Sequence, residues 1–156
     1  MILLPFKTFT ITTPLNPQDI ELALQNDITP GNPVFSPVPY FKGYVANGRF
    51  SISPDIVGRN SFIPQVKGTI EGSLNGSTVQ VKMRLFPVVI VALIFMIGFL
   101  FIAGANLLPH NATPKPTSFI PFIMGFAIYT LTIGIFNNEC KKAKARLLEL
   151  LNGSVS

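Results

Sequence analysis

Between Phe6 and Thr13, in FKTFTITT, apolar and β-branched positions alternate with polar ones at the two-residue period of a half-buried strand. The period then lengthens. In NPQDIELALQND, Ile20, Ala23 and Leu24 share one helical face; Asn16 can cap, Pro17 suits the first helical position, and Asp19 complements the dipole. This predicts a short amphipathic helix ending near Asn26. Alternation resumes in YFKGYVA, GRFSISP, IPQVKGTIEGS and STVQVKMRLF, each bounded by turn residues. Asn47-Gly48 and Asn75-Gly76 supply the positive φ angles that two-residue hairpin loops demand. The last of these strands places Val79, Val81, Met83 and Leu85 on one face and Gln80, Lys82 and Arg84 on the other.

At Phe86 alternation gives way to unbroken hydrocarbon. Phe86 to Leu108 exceeds the roughly 20 residues a helix needs to cross a bilayer core, and it contains no ionisable side chain. Phe119 to Phe136 sits at the short end of the spanning range. Pro87 and Pro121 fall near the starts of these segments, where a missing N–H costs little. The connecting PHNATPKPTS, with three prolines, reads as a tight loop. Two buried core helices are a poor alternative, because the rest of the chain is too small to clad them. The pattern therefore predicts an α+β protein. A small antiparallel β-rich domain with one short helix (1–85) precedes a membrane hairpin (86–108 and 119–136, joined by 109–118). A basic amphipathic tail helix (137–156) follows. In that tail Ala143, Leu147, Leu150 and Leu151 form an apolar stripe that could lie on lipid, dimerise or cover the sheet, and Asn152-Gly153 is a natural stop.

Charge sets the orientation. The chain carries a formal net charge of +5, unevenly placed. Lys82 and Arg84 precede the first span; Lys141, Lys142, Lys144 and Arg146 follow the second; the loop between has Lys115. Basic flanks stay cytoplasmic. The expectation is a multi-pass protein of the cell's inner (plasma) membrane with both termini in the cytoplasm, those six residues touching anionic headgroups. The surplus on 1–85 is too small for a nucleic-acid face, so nucleic acid is excluded as a partner. The expected partners are membrane lipids, together with a protein or a second copy packed through the hairpin or the tail. Thr130 and Gly134 form a small-xxx-small pair read as packing the hairpin against itself. The Pro-rich TPGNPVFSPVP (29–39) is read as a stiff connector rather than a polyproline ligand.

Little chemistry is on offer. His110 is the only histidine and lies in the loop on the opposite side of the membrane, which removes triads and histidine metal sites. Cys140, the only cysteine, allows no intrachain disulfide; its place near lipid would permit acylation, but an inert thiol is the simpler reading. The acids are scattered and the glycines mark turns, so no catalytic residue, cofactor or metal is expected. The opening MILLPFKTF lacks the features of a signal peptide. The sequons at Asn75 and Asn111 fall in the cytosol and against the bilayer. Arg59, Asn60 and Ser61 could hold an anion, since arginine forks onto phosphate or carboxylate, or could tie down a loop.

The run FKGYV, GRFSI, RNSFIPQVKGTI and STVQVKMRLFP resembles a set of small bacterial two-pass membrane proteins with a β-rich N-terminal domain, centred on Arg59, Asn60, Ser61, Phe62 and Pro64. The resemblance covers nearly the whole chain and implies no particular activity. Strand, short helix, antiparallel meander and terminal helix is also similar in order to the helix-grip folds that bind lipids and other apolar ligands. This chain departs from them in having a Pro-rich loop where they place a second helix and further strands. A pleckstrin-like half barrel is a further likeness, from which the helix after the first strand departs. The main functional expectation is a non-enzymatic interaction module, an accessory subunit or scaffold at the membrane surface. The alternative is a protein that binds a lipid or apolar ligand in a helix-grip-like cavity.

Overall fold

The computed structural model describes residues 5–28, 40–55, 62–73, 76–108 and 115–155. Strand β1 (Phe6–Thr13) leads into α1 (Pro17–Ile28). Strands β2 (Phe41–Ala46), β3 (Arg49–Pro54), β4 (Gln65–Ser73) and β5 (Gly76–Arg84) follow, then α2 (Pro87–Leu107), a 3-10 turn (Pro116–Phe119), α3 (Ile120–Leu151) and β6 (Ser154–Val155). The chain is α+β, as the pattern predicts.

All strands pair antiparallel in one six-stranded sheet, ordered β2-β3-β4-β5-β1-β6. The β2–β3 hairpin turns at Asn47 (φ 53°) and Gly48 (φ 68°), as the Asn-Gly pair demands. The Gly48 N–H donates to Glu21 Oε1, which ties the turn to α1. Asn75 lies outside the described residues, but Gly76 after it has φ 132° and its backbone passes against the Thr13 carbonyl, a place for glycine alone. Register sets the faces. Phe9, Ile11, Phe41, Phe50, Ile52, Val66, Ile70, Val79, Val81 and Met83 point inward, and the core forms there. Gly68 has no side chain because the Phe50 ring lies flat over it.

Both helical covers lie on that inner face. Helix α1 contributes Ile20 and Leu24; α3 contributes Phe136, Cys140, Ala143, Leu147 and Leu151, all buried, at the spacing of one helical stripe. Of the uses open to the tail, covering the sheet is the one realised. It is not a separate element, because α3 runs unbroken from Ile120 to Leu151. Asn152 (φ 45°) ends it in the left-handed conformation and the Gly153 N–H donates to the Leu148 carbonyl, a Schellman stop with asparagine in glycine's usual place. The chain then folds back as β6 onto Ile11 and Thr12, a sixth strand absent from the expectation. Among the described residues, the opposite face of the sheet carries no helix.

Helices α2 and α3 pair over their apolar halves. The Phe122 ring fills the space at Gly104, and Phe101 meets Phe122 edge-on at 5.1 Å. Gly125 faces Leu100. Thr130 and Gly134 are not the seam: nothing lies within 4 Å of where a Gly134 side chain would begin, and the Thr130 hydroxyl donates back to the Phe126 and Ala127 carbonyls. The Ser118 hydroxyl donates to the Leu107 carbonyl and caps the end of α2. Both helices are long and apolar enough to cross a membrane.

Candidate functional site

Along β1 the inward positions read Lys7, Phe9, Ile11 and Thr13, so the apolar stripe stops one pair short of the strand's start. Ile11 is fully buried. At Lys7, paired with Met83 beside the start of α2, a cation stands where the core would otherwise continue. Helix α3 passes this end with Cys140, Lys141 and Lys144. The gap is a cavity of about 340 Å³ lined by Lys7, Phe9, Met83, Cys140, Lys141 and Lys144, with Thr8 at its edge. That volume is at the small end of the roughly 300–1,000 Å³ usual for ligand sites. Buried side chains fill the centre of the sheet–helix interior, and this cavity opens at the end from which both apolar helices depart.

The floor is apolar: Phe9, Met83 and the Cys140 sulfur. The rim holds three lysines and no carboxylate. Lys144 Nζ sits 4.9 Å from the centre of the Phe9 ring, a cation–π contact that leaves the ammonium at the mouth. Burial pushes the Cys140 thiol up to about 12, against the opposing pull of Lys7. The thiol is neutral and serves as apolar lining, in keeping with the inert reading. Cys140 should resist alkylation by iodoacetamide at pH 8 in the folded protein and react rapidly once denatured, measured by mass spectrometry. The unfolded thiol ionises near its ordinary value of 9.0 while the folded one holds its proton, so stability falls as pH rises from 9 toward 12.

The other residues expected at headgroups lie outside this cavity. Arg146 turns inward: its Nη2 donates to Asp27 Oδ1 at 2.7 Å, bridging α3 to the end of α1, and its Nη1 reaches Glu149 Oε2 at 3.2 Å. Lys142 Nζ pairs with Glu139 Oε1 at 3.0 Å. The Tyr40 phenol beside this group is pushed up, first by burial and then by Glu139. Lys82 and Arg84 lie on the uncovered face of the sheet. Arg59, Asn60 and Ser61 lie outside the described residues, as do His110 and the Pro-rich 29–39. Sequence reasoning passed over Lys7 and Phe9; the available signal was a lysine at an inward position of an otherwise apolar stripe. Among the described residues, no three His, Cys, Asp or Glu side chains gather as a metal site would require.

No family model matches the chain, and no curated protein does either. Among solved structures it is similar to a Polyketide_cyc-like protein from Corynebacterium glutamicum, determined by solution NMR. The two are 14% identical, the match covers 93% of each chain, and the TM-score is 0.32. At that TM-score the likeness settles neither topology nor ligand. The expectation of an accessory subunit or scaffold is corrected in favour of the ligand-binding alternative on the ground of the lysine-rimmed cavity, and not of this likeness. The cavity between β1 and α3 gives that alternative a place.

Proposed function

We propose that the protein is a two-pass membrane protein that binds an anionic amphiphile, such as a fatty acid or the head region of an anionic phospholipid, between β1 and α3. The observation that carries this reading is the cavity itself: an apolar floor under three lysines, placed where the sheet meets two lipid-compatible helices. A charged headgroup satisfies Lys7, Lys141 and Lys144, and the first methylenes rest on Phe9, Met83 and Cys140.

The membrane part of the proposal rests on exposure. Val88 is 80% exposed, Phe95 74%, Phe99 71% and Phe126 70%. Soluble proteins rarely leave contiguous apolar patches beyond a few hundred Å² open to water. Lipid is the cover that suits two such helices, and the basic flanks support a cytoplasmic side for both termini. The cavity then opens at the inner leaflet, where a ligand moves between bilayer and protein without crossing water. Binding needs no bond to be made or broken, and the protein acts without catalysis.

The test is native mass spectrometry of the full chain extracted in a neutral detergent, with organic extraction of whatever is bound. One anionic amphiphile per chain is expected, and the Lys141→Gln/Lys144→Gln double variant should retain at least about tenfold less, since hydrogen bonds to charged groups contribute about 1.5–3 kcal/mol each. An empty wild-type protein, or equal retention by the variant, overturns the reading. Impermeant thiol reagents should reach a cysteine placed at Lys115 from the outside of intact cells, and one placed at Ser156 only after lysis.

A further inference from the structure

The face of the sheet without helices is strongly one-signed. Lys67 on β4 and Lys82 on β5 are direct register partners, and Ser51 on β3 is the partner of Lys67 on its other side. Directly opposed side chains on neighbouring strands stand about 5 Å apart at Cβ, and like charges there are destabilising. Two residues further from the apolar helices, Arg49 pairs with Thr69. Tyr44, the partner of Ser51 on β2, projects its ring outward and is 65% exposed. These six side chains border a groove of about 360 Å³.

The carboxylates near this groove are already engaged. Glu71 Oε1 accepts from Gln80 Nε2 at 3.4 Å, and Asp55 Oδ1 pairs with Lys42 at 3.3 Å. Among the described residues, Arg49, Lys67 and Lys82 have no acidic partner. An opposed lysine pair on a sheet that glutamine or threonine could occupy is a cost to the fold with no compensation inside it.

We propose that this outer groove binds a multiply charged phosphate group. Three cations around one groove call for more negative charge than a single carboxylate provides. A guanidinium fork, two ammonium groups and the hydroxyls of Ser51, Thr69 and Tyr44 can together satisfy several oxygens on one tetrahedral or linked phosphate centre. The Tyr44 ring forms a flat wall against which the rest of such a ligand lies. The groove is separated from the lysine-rimmed cavity by the whole thickness of the sheet, so this inference stands apart from the amphiphile reading and does not depend on it. The phosphate belongs either to a soluble phosphoester or to a lipid headgroup.

The experiment is calorimetric titration of the full chain in neutral-lipid nanodiscs with tripolyphosphate, with the same protein in nanodiscs containing phosphatidic acid as a second arm. Saturable one-to-one binding of tripolyphosphate is expected. Lys67→Gln/Lys82→Gln should weaken it at least tenfold, and Lys141→Gln/Lys144→Gln should leave it within about twofold. If phosphatidic acid in the nanodisc abolishes the tripolyphosphate heat, the groove is reading the headgroup; undiminished heat assigns a soluble ligand. Lys67→Gln alone should raise the melting temperature by about 2 °C by relieving the opposed pair. Absence of saturable binding in the first arm, equal loss in both double variants, or a fall in melting temperature for Lys67→Gln overturns the proposal.

Discussion

Val81→Asp should abolish cooperative folding of the sheet. Val81 is fully buried, lies in register between Phe9 and Gly68, and touches neither water nor a cation. A carboxyl group placed there without a partner costs about 4 kcal/mol or more even when it takes up a proton, to which the lost valine packing adds. Domains of this size hold together by about 5–15 kcal/mol, so most of the margin goes. Gln80→Asp is the matched control. It lies one residue away on the opposite face, where a carboxylate stays in water and beside cations. Circular-dichroism melts in detergent decide the matter: a lost transition for Val81→Asp beside a near-native one for Gln80→Asp is the expected pair. A native melt for Val81→Asp would mean the faces are reversed.

The second large effect is at the α1–α3 bridge. The Asp27 side chain is 5% exposed and that of Arg146 26%, and their bond is 2.7 Å. Arg146→Met strands a buried carboxylate at the end of α1 and should cost about 3 kcal/mol. Asp27→Asn with Arg146→Met removes both charges. Because Asp27 Oδ2 and Arg146 Nε have no hydrogen-bond partner among the described residues, little further bonding is lost with the second change. The double variant should recover at least half of the single variant's loss, a coupling measured by urea unfolding in a double-mutant cycle. A loss in the double variant equal to the sum of the losses for Arg146→Met and Asp27→Asn taken singly would show that the two groups are not coupled.

The sheet was the most legible part of the chain. Strict alternation in QVKMRL assigned each face of β5, Asn47-Gly48 placed a hairpin, and the bounds of β1 came out as the pattern set them. The fit is physical: one buried face forces a period of two, and a one-residue slip would invert it. What the letters did not carry was rotation and partnership. In α3 the upper half is apolar all round, so nothing in its composition says which side meets α2; the seam runs through Gly104 and Gly125, with Thr130 and Gly134 turned away. Arg146 looks like any juxtamembrane cation until α1 brings Asp27 to it from 119 residues away in the chain. The two residues of β6 are too few for a period. Lys7 shares the two-residue period of Phe9 and Ile11, so its inward place was legible, but the cavity it rims exists only because α3 brings Cys140, Lys141 and Lys144 to that end of β1.

The stripe from Phe136 to Leu151 belongs both to the helix that follows the α2 turn and to the core of the sheet domain. A ribosome delivers it after the five strands it helps to cover. The first five strands leave the exit tunnel with their inner surface bare and wait on the order of ten seconds, at about 5–20 residues per second, for the piece that closes them. Synthesis of both long apolar helical stretches therefore comes before maturation of the sheet domain, and a nascent chain cut short before Phe136 would present quality-control proteases with an open, oily sheet.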